Sequence, residues 1–320
     1  MLKNENYKIL NPAQTKSGIF YFKFKTDRKI VERTENMRRK VAIQGVAGCF
    51  HDIAAREYFQ GDEVETIPCN TFKKLFETVK SDSSILGICA IENTIAGSLL
   101  ENHHLLNDSG LKIVGEHRLR IKQNLVALPG QKVEDLTAVY SHPIALMQCK
   151  EYLNEHPNLV AIQAEDTALS AKEIAEMGTE GRGRAAICGE LAAEIYGLEL
   201  VAKGIETNKR NFTRFLVFCD PWLVEDMTMG KRINKASLEF TLPHEEGSLA
   251  KTLSILSYYG LNLSKIQSLP IIGREWEYQF YVDLCFSDYL RFKQGIDAIV
   301  PLTKNLCVLG EYEESLPLPD

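Results

Sequence analysis

The sequence predicts a two-part α/β protein: a two-lobed, doubly wound unit with a cleft between its lobes, then a smaller βαββαβ unit. Three observations carry this. Between Lys40 and Phe218, short apolar runs of strand composition alternate with amphipathic runs of helical spacing. Midway, the long extended stretch LKIVGEHRLRIKQNLVAL at 111–128 breaks the alternation and suits a crossing between lobes. Beyond residue 234 the order becomes strand, helix, strand, strand, helix, strand.

In order, KVAIQG at 40–45 reads as a buried strand, and CFHDIAAREYF at 49–59 as a helix with Phe50, Ala54 and Tyr58 on one stripe. VETIPC at 64–69 is a strand, and NTFKKLFETVK at 70–80 a helix capped by Asn70 or Thr71. ILGICAIE at 85–92 is a third strand, so a mainly parallel sheet is expected, with ligands collecting where strand ends meet helix starts. After the crossing stretch come strands at 137–142, 159–164 and 184–189, each followed by a helix at 143–156, 166–178 and 190–197. NFTRFLVF at 211–218 returns as a late strand. The C-terminal pattern, from KASLEFTLP at 235 to NLCVLGEYE ending at 313, has the ferredoxin-like split βαβ order. The expected division is a basic, poorly structured extension over 1–39, the two-lobed unit over 40–220, a linker over 221–234 and the small unit over 235–315.

Composition narrows the function classes. Hydrophobic residues make up 45% and charged residues 25%, enough for a sizeable core, and no apolar run is long enough to suggest a membrane span. Residues 1–40 hold eleven basic and four acidic residues, a charge of +7, which leaves −13 on the rest. That head reads either as an arm for nucleic acid or membrane or as an unstructured extension before Met37. The acidic body argues against nucleic acid as the main partner. Eight scattered cysteines without a CxxC pair read as reduced, buried thiols of a cytoplasmic protein. The seven histidines lack metal-ligand spacing, so no metal is expected.

Three strand-to-helix junctions could carry chemistry. At the first, Glu92, Asn93 and Thr94 end an apolar strand and Gly97-Ser98 opens a helix, which makes either an anion site or an ordinary cap. At the second, Ser141 or His142 caps a helix with Pro143 in its first position, and Gln148 follows on it. At the third, Gly45 and Gly48 flank a tight turn before Cys49 and Phe50; this is a ligand loop or a plain turn, without the lysine of a phosphate loop. The late strand poses its own question. Asn211, Thr213, Phe215 and Val217 share one face, and Phe212, Arg214, Leu216 and Phe218 the other. A charge in an apolar row needs a carboxylate, either from a substrate or from a protein group such as Glu92.

These stretches, IENT with GS downstream, SHPIALMQC, DTALSA and NFTRF in that order, resemble the prephenate dehydratase family. GSLAKTLSILSYYGLNLSKIQSLP with WEYQFYVDL resembles that family's regulatory ACT domain, and the likeness runs from about Lys40 to Glu313. The resemblance implies a periplasmic-binding-protein-like catalytic unit that converts prephenate to phenylpyruvate, carbon dioxide and water without a cofactor, under phenylalanine feedback. It places Thr213, Glu92, Asn93 and Gln148 in catalysis, with Ser141, Arg214, Gly48, Cys49 and Phe50 binding substrate. It places phenylalanine near Gly247, Ser248, Leu249, Asn262, Gln267 and Ser268, in a homodimer or homotetramer. Two motifs depart from the family: Gly48-Cys49-Phe50-His51 replaces Gly-Thr-Phe-Ser, and Gln267-Ser268-Leu269-Pro270 replaces Glu-Ser-Arg-Pro. Arogenate is the alternative substrate, and a non-catalytic amino-acid sensor the alternative class.

Overall fold

In a computed structural model the described residues run from Met37 to Ser315, apart from 272 and 274–276. The expectation for the basic head therefore lies outside the described residues up to 36. The first lobe comprises β1 (Arg38–Gln44), α1 (Phe50–Tyr58), β2 (Glu63–Cys69), α2 (Phe72–Ser81), β3 (Leu86–Asn93), β4 (Gly97–Ser98) and α3 (Leu100–Ser109). The strand β1 thus starts at Arg38, two residues before the expected boundary. Thr71 caps α2, its hydroxyl accepting from the Lys74 N–H. Gly97-Ser98 does not open a helix; it folds back as β4 against Asn93 and Glu92, and α3 starts later.

The chain crosses over on β5 (Lys112–Arg120) to β6 (Asn124–Ala127), as the extended stretch suggested. The second lobe continues with β7 (Ala138–Ser141), α4 (Pro143–Gln148), α5 (Lys150–Glu155), β8 (Val160–Gln163), α6 (Thr167–Glu176), β9 (Arg184–Cys188), α7 (Glu190–Tyr196) and β10 (Glu199–Ala202). The single helix expected over 143–156 is broken at Cys149 into α4 and α5, and β10 adds a strand beyond the expected set. The return strand β11 (Phe212–Cys219) leads through the short α8 (Val224–Thr228) to the C-terminal segment. That segment holds β12 (Lys235–Thr241), α9 (Ser248–Tyr258), β13 (Asn262–Pro270), β14 (Tyr278–Cys285), α10 (Tyr289–Ile299) and β15 (Lys304–Tyr312), in the βαββαβ order.

Two sheets organise these elements. The five-stranded one runs β10-β6-β9-β7-β8. The larger runs β13-β14-β12-β15-β5-β11-β3-β1-β2, with β4 on β3, so first-lobe and C-terminal strands share one sheet. Within the two lobes, parallel pairing among the described residues joins β1–β2 and β1–β3 and the matching β7–β8 and β7–β9; the returning strands β11, β5, β6 and β10 add antiparallel pairs. The sheets are thus mixed rather than mainly parallel, because the chain re-enters each lobe from the hinge. The join between β15 and β5 is a single parallel pair, Gly310 with Ile113. A Cβ on Gly310 would stand 2.2 Å from the Ile113 carbonyl oxygen, so only glycine allows this approach.

The alternation on β11 sorts its side chains into two cores. Phe215 and Val217 join the core that also takes buried residues of α1, α6 and α7, with Phe215 against His51 of α1. Leu216 and Phe218 face α2 and α3, in a core that also takes Leu269, Tyr281, Leu309 and Tyr312 from the C-terminal segment. Burying such side chains stabilises by roughly 1.5–3 kcal/mol each.

Candidate active site

The end of β3 and the start of β11 pair in register, Thr213 with Asn93 and Arg214 with Glu92. The Asn93 amide nitrogen donates to Thr213 Oγ1 at 2.9 Å and to Asn211 Oδ1 at 2.8 Å. Its oxygen accepts from the Ile95 and Ala96 N–H groups, which shapes the loop beyond β3. Thr213 receives one hydrogen bond at its oxygen and keeps its own proton to give. Accepting from Asn93 polarises that O–H.

The second lobe contributes Ser141 and Gln148 across the hinge. Ser141 is fully buried, its Oγ donating to the Ile187 carbonyl at 2.6 Å, while His142 caps α4 by accepting from the Ile144 N–H. Gln148 Oε1 accepts from Gln123 Nε2 at 3.3 Å, which ties α4 to the link between β5 and β6. Two further amides where the chain passes between the lobes, Gln123 and Asn211, are 2% and 0% exposed. Among the described residues each has an atom without a partner: Gln123 Oε1 and Asn211 Nδ2. Asn211 was visible on Thr213's face of the strand; nothing in the sequence marked Gln123.

The glycine loop before α1 is packed rather than open. Gly48 has φ of +83°, and a Cβ there would meet Ala192 Cα at 2.6 Å; its N–H donates to the buried Asp52 at 2.8 Å. Cys49 is buried, with Sγ 3.4 Å from the Gln44 carbonyl oxygen, and burial pushes its thiol up to about 12. His51 is buried against Phe215 and accepts from the Ala90 N–H at 3.2 Å; burial pushes its imidazole down to about 3. That pair is a neutral anchor and makes a poor nucleophile and base. Phe50 lines a cavity of about 600 Å³ between α1, the hinge and Gly189–Leu191. The cavity also reaches Phe212, Leu119, Arg120 and Lys122; Leu119 is the register partner of Thr213. Among the described residues, Arg120 and Lys122 have no carboxylate partner.

Arg214 answers the question its strand posed, and differently from the expected substrate contact. Its guanidinium donates to Glu116 at 2.6 Å, Asp283 at 2.6 Å, Glu92 at 3.0 Å and the Tyr312 hydroxyl at 3.1 Å. Lys235, 1% exposed, donates to Glu116 at 2.9 Å, and Lys265 reaches Glu92. Three cations thus meet these three carboxylates, and Lys235 also reaches Glu314 at 3.6 Å. Burial pushes Glu92, Glu116 and Asp283 up, but the Arg214 charge and their lysine and hydrogen-bond partners outweigh it and hold all three below the usual carboxylate range. Burial likewise opposes the Arg214 charge, and the surrounding carboxylates hold it well above its ordinary value. Glu92 and Arg214, expected among catalytic and substrate-binding groups, are thus committed to protein partners on the face opposite Thr213. The partners Glu116, Lys235 and Asp283 lie far apart in sequence, and no local pattern announced them.

In the C-terminal segment, Ser248 and Leu249 border a cavity of about 150 Å³ with Leu242, Tyr278 and Phe280. Gly247, with φ of +77°, turns the chain into α9, and Gln267 and Ser268 lie on β13 opposite Tyr281 and Phe280. Asn262 lies at the other end: it pairs with Cys285, which pairs with Lys235 at the start of β12. A strand length, roughly 20 Å, separates it from the turn at Gly247. The expectation that one chain brings Asn262 to that turn is therefore corrected.

Residues 41–221 match the family model described as prephenate dehydratase. The bifunctional chorismate mutase/prephenate dehydratase of Aquifex aeolicus is 31% identical over 293 residues, covering 90% of this chain and 78% of the relative. Arogenate dehydratase/prephenate dehydratase 2 of Arabidopsis thaliana is 35% identical over 268 residues, covering 81% and 68%. A solved structure described as GqqA, a novel type of quorum quenching acylases, superposes with a TM-score of 0.77 at 29% identity, covering 87% of this chain and 98% of that one. Prephenate dehydratase from Arthrobacter aurescens in complex with L-Phe superposes with a TM-score of 0.73 at 25% identity, covering 86% and 90%. With the family model spanning both lobes and a curated dehydratase matching most of its length, the chain belongs to the prephenate dehydratase family.

Proposed function

We propose that this dehydratase acts on prephenate, giving phenylpyruvate, and that phenylalanine inhibits it through the C-terminal segment. The observation that carries the substrate reading is the neutral Asn93–Thr213–Asn211 cluster, with an unspent donor at Asn211 and an unspent acceptor at Gln123. The reaction breaks the bond to the ring carboxylate, which leaves as CO2. Its electron pair enters the ring and expels the 4-hydroxyl, which takes up one proton and departs as water. No nucleophile is needed; the reaction needs orientation and a donor at the leaving oxygen. Thr213 donates there, Asn93 fixes its rotamer, and Ser141 and Gln148 hold the second lobe's side of the ring. With Arg214 occupied, Arg120 and Lys122 are the cations available to substrate carboxylates beside this strand pair.

The acylase-described neighbour raises acyl transfer as an alternative. The high thiol pKa of Cys49 and the committed imidazole of His51 favour dehydration instead. Arogenate, with an amine for the keto group, fits the same chemistry. The test is incubation with each substrate separately, following phenylpyruvate by its absorbance in alkali and phenylalanine by chromatography. Turnover of arogenate alone would reassign the substrate, and turnover of neither would overturn the dehydratase reading.

Effector binding draws support from the L-Phe complex of the Arthrobacter protein and from the cavity beside Ser248 and Leu249. Asn262 could join that site from a second copy, because β13 is the edge strand of the large sheet. An antiparallel pairing along it would bring Asn262 of the partner subunit to the Gly247 end. A homodimer, the division of labour between 40–220 and 235–315, and a cytoplasmic location suited to eight free cysteines belong to the same proposal. Calorimetry with phenylalanine, paired with light scattering, tests effector and assembly together.

A further inference from the structure

We infer that Arg214 is a positioning residue for Thr213, and Glu92 for Asn93, and that the C-terminal strands set both positions through Asp283 and Tyr312. The inference rests on the dehydratase reading above. Thr213 and Asn93 form one cross-strand rung, Arg214 and Glu92 the next. Alternation turns the first rung toward the amide cluster and the second toward β12–β15. The rungs share a backbone, so whatever fixes the second fixes the first.

The second rung is held from within the lobes by Glu116 on β5, and on its other side from the C-terminal strands. Asp283 on β14 and Tyr312 on β15 hold two corners of the Arg214 guanidinium, and Ser237 on β12 links them, bonded to both. A planar guanidinium bound along each of its directions leaves its own backbone little freedom. The β3–β11 ladder does not supply that precision by itself, because its register shifts between Arg214 and Phe215. Sheet continuity adds little, since β15 meets β5 at one residue pair. A tilt of the C-terminal strands therefore reaches Thr213 through Arg214. A misplacement of about 1 Å at a reacting group can cost on the order of 10²-fold in rate.

The experiment uses the full chain with Asp283→Asn and Tyr312→Phe, with Ile296→Ala in the α10 core as a destabilised control outside the network. Turnover is measured per folded molecule, with the folded fraction taken from a denaturation curve. Asp283→Asn should lower kcat by about 10- to 100-fold with KM within about twofold. Tyr312→Phe should lower kcat several-fold and weaken phenylalanine inhibition, while Ile296→Ala should keep kcat. Full turnover in Tyr312→Phe, or an equal loss of kcat in Ile296→Ala at a matched loss of melting temperature, would overturn the inference. Tyr312→Phe decides the matter should Asp283→Asn not fold. A wild-type protein inactive on both substrates would overturn the dehydratase reading and this inference with it; an active wild type with unimpaired variants overturns only the inference.

Discussion

On opposite faces of one strand pair, two polar clusters obey different rules. The Asn93–Thr213–Asn211 side is neutral, hydrogen-bonded on part of its capacity and left with unspent donors and acceptors. The Glu92–Arg214 side is charged, buried and balanced, with each carboxylate facing a cation. An unsatisfied buried amide costs about 1–3 kcal/mol, tolerable where a ligand or water completes it. An unpaired buried charge costs several times more, so the protein must complete that cluster itself. Proximity in sequence to the proposed donor is therefore a poor guide to contact with substrate: Arg214 is next to Thr213 in sequence and faces away from it.

The comparison breaks first at its neutral side. Thr213→Val keeps shape and removes the proton to give, so kcat should fall by roughly 10² to 10⁴ with KM little changed. Retention of more than about half of wild-type turnover would remove Thr213 as the donor. On the charged side, Arg214→Leu leaves Glu116 and Asp283 buried with too few cations, and the ligand-free fold should lose about 3–5 kcal/mol in a urea titration. A loss below about 1 kcal/mol would return Arg214 to the role of a substrate group.

Smaller effects sharpen the boundary between the faces. Gly310→Ala forces a methyl against the Ile113 carbonyl and should cost about 1–3 kcal/mol. A melting curve within a degree of wild type would mean that β15 and β5 can part without penalty. Glu239 tests a buried carboxylate that forms no ion pair among the described residues, with Lys112 offsetting its burial only in part. Burial, with Asp108 nearby, raises its pKa to about 7, above its value in the unfolded chain. Between roughly pH 4.5 and 7 the folded form holds a proton that the unfolded form has lost, so stability falls as pH rises through that window. Glu239→Gln should match wild type near pH 4.5 and exceed it at pH 8 by on the order of 1–2 kcal/mol. Equal pH dependence of the two proteins would count against the raised pKa.

The sequence by itself determined the alternation of strands and helices, the crossing at 111–128, the βαββαβ segment and the pairing of faces along β11. These are local: period-2 and period-3.6 patterns, Thr71 and Asp166 at helix starts and Pro143 in a first turn are read within a few residues. It also carried the motifs that brought Asn93, Ser141, Gln148 and Thr213 forward. Tertiary structure alone decided what each of those groups touches. Gly97-Ser98 has no local reason to pair back on β3, and β10 exists because β6 offers it an edge. Cys49 and His51 stand where the family carries hydroxyls, and burial, which no local pattern shows, suppresses the charged forms of both. Arg214 is the sharpest case. Its strand fixed its direction, but its carboxylates come from β3, β5 and β14, up to 122 residues away. Coulomb attraction acts through space, and only the folded chain says which charges share it.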